Sequence, residues 1–121
     1  MPRLPVSITP YYASLIDGID AAQPLRRTVV PAYDEFITAP GESSDPLAED
    51  KASPVPGIVH RYPDRVLFLV TGLCSTYCRY CTRSRMVGTA KYGFSHDQWG
   101  EGLAYIRSHA EVRDVLLSGG D

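Results

Sequence analysis

The clearest hydrophobic pattern in the chain is the unbroken run Val66-Leu67-Phe68-Leu69-Val70, which closes on Thr71 and is broken by Gly72. Apolar side chains at both odd and even positions over a strand's length predict a strand covered on both faces. Further on, Ser95-His96-Asp97-Gln98 has the form of a capping box, with Ser95 as cap and Gln98 reaching back. Trp99, Leu103 and Ile106 follow at i, i+4 and i+7 and predict one apolar stripe, all core, on a helix ending near His109. Val112 to Leu117 predicts the next strand. Strand, helix, strand is a βαβ unit, so the two strands run parallel with a right-handed crossover and finish at the same edge of the sheet. The segment after the first strand and Gly119-Gly120 after the second are therefore expected on one rim, where α/β folds gather their sites.

The first half has a weaker rhythm. Thr9 and Pro10 mark the start of a short helix carrying Tyr11, Tyr12, Leu15 and Ile16, and Asp17-Gly18 stops it. From Thr38 to Gly57 the chain is rich in Pro, Ser, Gly and acid, which predicts an extended surface connection whose acids face solvent. The expected organisation is an N-terminal helix and Pro-rich arm over 1–57, then a βαβ unit over 58–121.

Composition narrows the partners. The chain has 121 residues, 44% hydrophobic and 21% charged, enough for one small domain with a modest core. A net charge of −2 argues against nucleic acid, which demands a basic face. No apolar stretch approaches the roughly 18 residues of a membrane span, and the start lacks a signal peptide's apolar core, so the expected location is the cytoplasm. An odd number of cysteines in one cluster fits reduced thiols better than a disulfide scaffold. The chain ends directly after a strand-like run with no covering helix, and this predicts a fragment.

The cluster is Cys74, Cys78 and Cys81, a C-x3-C-x2-C loop directly after the first predicted strand. Three thiolates suit an iron-sulfur cluster and leave one metal corner free for a ligand the protein does not supply. Spacing alone also permits zinc, with His60 or His96 as a fourth ligand, or an electron-transfer module, although electron carriers normally fill all four corners with cysteine. Arg79, Arg83 and Arg85 read either as a solvated charge run or as forks for anionic ligands. Arg61 and Arg65 flank a turn-like Tyr62-Pro63-Asp64, where surface pairing with Asp64 is the plain reading. Tyr80 could serve packing or recognition, and His96 and His109 read as helix-end surface residues.

The cysteine loop, with aromatic Tyr80 just before Cys81, resembles the radical S-adenosylmethionine superfamily. More narrowly, His60-Arg61-Tyr62-Pro63-Asp64-Arg65, the stretch CSTYCRYCTR from Cys74 to Arg83, and VRDVLLSGGD from Val112 to Asp121 resemble the lysine 2,3-aminomutase family. So do ITPYYASLID at Ile8 to Asp17 and SPVPG at Ser53 to Gly57. The resemblance implies the start of a (β/α) partial TIM-type barrel, truncated after its second strand and preceded by a helical and extended arm. It implies that Cys74, Cys78 and Cys81 bind three irons of a 4Fe-4S cluster whose fourth iron holds S-adenosyl-L-methionine. Gly119, Gly120 and Asp121 would form the turn that meets the methionine amino group, and Tyr80 would lie beside the adenine or fill the loop. Arg61, Tyr62 and Arg65 would belong to the pyridoxal 5'-phosphate site, the arginines bonding its phosphate, and Arg83 would pair with the substrate's α-carboxylate.

The implied activity moves the amino group of L-lysine from C2 to C3 to give β-lysine. Related glutamate or arginine aminomutases, and the paralogue that modifies a lysine of elongation factor P, would share the cluster loop. Implied partners are the amino acid substrate, an electron donor such as flavodoxin or ferredoxin, and further copies of the chain in a homo-oligomer. Two positions depart from the pattern: Tyr80 replaces a frequent histidine, and Ser84 a frequent arginine. Lys51 and Lys91, the only lysines here, do not match the family's pyridoxal-binding lysine. That lysine and the acids for the substrate's distant amino group are expected beyond Asp121, so the chain alone should not turn over substrate.

Overall fold

The computed structural model describes residues 4–89 and 94–121. Lys91 lies outside them. In chain order the elements are α1 (Pro10–Ser14), α2 (Pro24–Val29), short 3-10 turns at Tyr33–Phe36 and Asp50–Ala52, β1 (Ile58–Tyr62), β2 (Arg65–Thr71), α3 (His96–Ser108) and β3 (Asp114–Gly119). The strands form one mixed sheet in the order β1-β2-β3.

The expected parallel pair is present. β2 and β3 are neighbours, with Val66 opposite Val115 and Leu69 opposite Ser118, and a register shift before Thr71 pairs with Gly119. β1 is an addition to the sequence reading, which had only a turn there. It pairs antiparallel with β2, Ile58 opposite Phe68 and Tyr62 opposite Arg65, across a tight turn at Pro63-Asp64. Its five residues have little apolar alternation beyond Ile58 and Val59, both buried, and pairing with β2 supplies the rest.

The two sheet faces bury different clusters. Ile58, Val66 and Phe68 pack with Trp99, Tyr105 and Ile106 of α3, while Val59, Leu69 and Met86 pack on the other face with Ala52 and Phe94. β2 is thus covered on both faces, as its unbroken apolar run predicts. β3 is not: Leu116 and Leu117 are 66% and 65% exposed on the sheet's outer strand.

Helix α3 is capped as expected, the Gln98 amide donating to Ser95 Oγ at 3.4 Å and the Ser95 amide to Gln98 Oε1 at 2.9 Å. The core stripe is corrected in one position. Leu103 is 45% exposed, and the buried line runs through Trp99, Gly102 and Ile106 instead. Gly102 has no side chain, so the Phe68 ring lies directly against the helix there, and this rotates Leu103 off the contact face. His109 stands at the helix end as expected, as the C-cap of α3, but is half-buried: it stacks on Tyr105 at 3.9 Å between ring centroids, and Tyr105 in turn bonds His60 Nδ1 through its hydroxyl at 2.7 Å.

The N-terminal arm lies along the cysteine loop. Thr9 caps α1 by accepting from the Tyr12 amide, as predicted. The Tyr77 amide donates to the Ser7 carbonyl at 2.9 Å and the Arg79 amide to the Thr28 carbonyl at 2.8 Å. The acids of the Pro-rich segment do not all face water. Glu49 is only 5% exposed, because two arginines of the cysteine loop draw it inward.

Candidate cofactor and anion-binding rim

The parallel pairing of β2 and β3 brings their carboxyl ends together, and the loops that leave them touch. The Ser75 amide donates to the Asp121 carbonyl at 2.6 Å, and the Gly120 amide to the Thr71 carbonyl at 2.9 Å. Glycine is required here. Gly119 has φ +146°, and a Cβ on Gly120 would fall 1.6 Å from the Leu73 carbonyl oxygen. The diglycine turn therefore lies beside the start of the cysteine loop, on the rim where the topology placed it.

Cys74, Cys78 and Cys81 are free thiols, all partly buried. They line one cavity of about 390 Å³ together with Tyr80, Gly119 and Asp121. Cys74 and Cys81 also border a second hollow, whose wall includes Met86, Val87 and Phe94. Tyr80 is 71% exposed, and the negative charge of a neighbouring Cys78 thiolate, together with a hydrogen bond to that sulfur, holds its hydroxyl above the usual tyrosine range. Three thiols on one short loop are the donor set an iron-sulfur cluster takes, and they share a cavity with the glycine turn. The set suits such a cluster by donor chemistry and by sharing one cavity. Among the described residues no three or more His, Cys, Asp or Glu side chains are drawn together tightly enough to hold a metal ion.

A cavity of about 320 Å³ brings together Leu47, Glu49, Arg61, Tyr62, Arg65 and Arg83, from the Pro-rich arm, the β1-β2 hairpin and the end of the cysteine loop. All four residues that the resemblance assigned to pyridoxal phosphate and substrate thus share one cavity. Their contacts differ. Arg65 grips Asp64 through Nε at 2.8 Å and Nη2 at 3.0 Å, the plain surface pair considered above, and that guanidinium holds the Asp64 carboxyl below its usual range. Arg61 donates through Nη2 to the Leu47 carbonyl. Arg83 donates through Nε and Nη2 to the Glu49 carboxylate, at 3.0 and 2.7 Å.

Sequence reasoning passed over two arginine contacts. Arg79 is no solvated charge: its side chain is 8% exposed, forks onto the Glu35 carboxylate, and donates to the carbonyls of Leu4 and Pro5. The pair holds the Glu35 carboxyl below its usual range. Arg85, 10% exposed, meets Asp45 at 3.1 Å and Asp50 at 2.9 Å. At Asp45 burial opposes ionisation, and the amides of Asp50 and Glu49 together with Arg85 outweigh it, leaving the carboxyl below its usual range. Alternation of acids in the arm with arginines in the loop was the available signal, but nothing in the sequence matched one to another.

No family model matches the chain. The L-lysine 2,3-aminomutase of Bacillus subtilis is 52% identical to it over 118 residues, covering 98% of this chain and 25% of that protein. The L-lysine 2,3-aminomutase of Clostridium subterminale is 50% identical, over 98% of this chain and 28% of that protein. The glutamate 2,3-aminomutase of Clostridioides difficile is 40% identical over 95% of this chain and 27% of that protein. The chain therefore spans about a quarter of the length of the curated relatives it matches. With about half its positions identical to L-lysine 2,3-aminomutases across 98% of its length, the chain belongs to the lysine 2,3-aminomutase family.

Proposed function

We propose that the chain is the N-terminal part of an aminomutase that moves the amino group of L-lysine from C2 to C3, with a 4Fe-4S cluster, S-adenosyl-L-methionine and pyridoxal 5'-phosphate as cofactors. Five relatives named L-lysine 2,3-aminomutase stand at 48–52% identity, while a glutamate enzyme stands at 40% beside one further lysine enzyme at 40%, and this distribution favours lysine. The observation that carries the reading is the meeting of the cysteine loop and the diglycine turn at the carboxyl end of the β2-β3 pair, with the arginine cavity along the amino-end half of the same strands and Arg83, at the end of the cysteine loop, in its wall.

Cys74, Cys78 and Cys81 would hold the cluster as thiolates, leaving one corner free. The turn of Gly119, Gly120 and Asp121, which borders the cysteine cavity through Gly119 and Asp121, would meet the amino end of S-adenosyl-L-methionine, with Tyr80 lining the same cavity. Arg61 and Arg65 would hold the phosphate of pyridoxal phosphate beside Tyr62, since guanidinium forks suit phosphate oxygens. Arg83 would orient the substrate by its α-carboxylate. Met86, Val87 and Phe94 line the hollow against Cys74 and Cys81 and would keep water from it. The bound cofactors supply the one-electron chemistry and the carbonyl to which the migrating amino group attaches, while the chain contributes position and exclusion. The lysine that carries pyridoxal phosphate, an external electron donor such as flavodoxin or ferredoxin, and homo-oligomer contacts belong to the longer protein. The fold reading is the opening βαβ unit of a partial (β/α) barrel, with β1 as an added antiparallel strand.

The test is anaerobic reconstitution of the full-length protein with iron and sulfide, followed by absorption and paramagnetic resonance spectra before and after S-adenosyl-L-methionine. A cluster spectrum that changes on adding the nucleoside, and is lost in Cys78→Ala, is the expected result. A colourless zinc-loaded protein, or a spectrum indifferent to the nucleoside, would overturn it.

A further inference from the structure

Arg61 and Arg83 belong to different elements, yet both are held by the same turn of the Pro-rich arm. Arg61 donates to the Leu47 carbonyl and Arg83 to the Glu49 carboxylate. Between the two partners stands Ala48, the one non-glycine residue among the described residues with positive φ, at +50°. A left-handed alanine is an unfavourable conformation that persists only where its surroundings over-determine it. They do so here. The Ala48 amide donates to the Asp45 carbonyl at 3.0 Å, and the Asp45 carboxylate accepts from the amides of Glu49 and Asp50 at 3.1 and 2.9 Å.

The contact to Arg83 is one-sided. Glu49 takes the Nε and Nη2 edge of the guanidinium and leaves Nη1 with no hydrogen bond among the described residues, on a side chain 24% exposed that lines the 320 Å³ cavity. A fork held along one edge presents its other edge, Nη1 with the second Nη2 proton, in a fixed direction. Glu49 itself is 5% exposed and so carries a carboxylate that is costly to bury without such a partner.

We infer that the Leu47-Ala48-Glu49 turn is a positioning element for the anion-binding arginines, and that Glu49 fixes Arg83 so that its free edge receives the substrate carboxylate. The inference rests on the proposed role of Arg83. Glu49 touches no substrate; it acts through Arg83. The left-handed Ala48 reverses the chain, so that a backbone oxygen meets one arginine and the next side chain meets the other.

The experiment is calorimetric binding to the full-length protein loaded with pyridoxal phosphate, with L-lysine and with 1,5-diaminopentane, which has both amines and no carboxylate. Glu49→Gln, which keeps the side chain's shape and drops its charge, should weaken L-lysine about tenfold, the scale of a lost charged hydrogen bond, and leave 1,5-diaminopentane within about twofold. Glu49→Asp should recover part of the loss. Ala48→Gly should bind both ligands as the parent does, and Ala48→Val, whose branched Cβ resists positive φ, should follow Glu49→Gln. Arg83→Ala separates the two levels of the reading. If Arg83→Ala keeps full affinity for L-lysine, the carboxylate role fails and the inference fails with it. If Arg83→Ala loses L-lysine selectively while Glu49→Gln and Ala48→Val do not, the positioning inference alone is overturned. Equal weakening of both ligands by Glu49→Gln would also overturn it, as a general structural effect.

Discussion

The amide of Ser75, next to the first cysteine, is bound to the carbonyl of Asp121, 46 positions later, at 2.6 Å. That bond closes the rim, because it joins the loop leaving β2 to the turn leaving β3. It forms only if Gly120 can pass the Leu73 carbonyl without a side chain. Gly120→Ala, whose Cβ would lie 1.6 Å from that oxygen, should therefore open the rim and destabilise the protein by about 2 kcal/mol or more. Urea unfolding and the rate of cysteine alkylation would read it, and parent-like values in both would show the approach is not so close.

Acid should loosen the N-terminal arm. The Glu35 carboxyl is depressed in the fold by its hydrogen bonds from Arg79, so its contribution is complete above the unfolded value of about pH 4.3 and is lost as pH falls through the lower folded value. Glu35→Gln should cost about 1 to 3 kcal/mol at neutral pH, since Arg79 is left buried with a weakened partner, and should remove that part of the acid dependence. Denaturant melts between about pH 3 and 7 would check both the size and the slope.

Gly102→Ala should destabilise despite alanine's better helix propensity. The added Cβ would lie 2.8 Å from Cε2 of Phe68, a buried ring with no room to retreat. Overpacking of about 1 to 3 kcal/mol outweighs the gain of roughly 0.5 to 1 kcal/mol from removing glycine. Thermal unfolding of the variant decides the sign.

Trp99 donates through Nε1 to the Val70 carbonyl at 2.8 Å, tying α3 to the end of β2 just before the cysteine loop. Trp99→Phe should keep the packing and lose that bond, at a cost of about 1 kcal/mol. These 121 residues hold one tryptophan, so the emission lost in Trp99→Phe reports on this joint. Indole emission unchanged on unfolding would contradict its burial against β2.

The βαβ core was legible because its signals are local or periodic: an unbroken apolar run for β2 and a capping box for α3. The rim followed from topology, since parallel strands end together. β1 was missed because its apolar content is confined to Ile58 and Val59, and a neighbouring strand supplies the pairing that its own sequence does not announce. Leu103 was misplaced because a helical stripe gives a face to within a residue or so, and Gly102 shifted it toward Phe68.

By itself the sequence determined which chemistry is possible. Three thiols at one spacing, two glycines ending a strand and several arginine forks are properties of residue type and order, and those survive without coordinates. Which carboxylate meets which arginine was decided by tertiary structure alone. Glu49 and Arg83 are 34 positions apart, Glu35 and Arg79 are 44 apart, and a single charge carries no information about a partner so distant. Only folding the N-terminal arm against the cysteine loop brings those pairs together and buries Arg79 and Glu49, and a charge taken from water must find its counterpart.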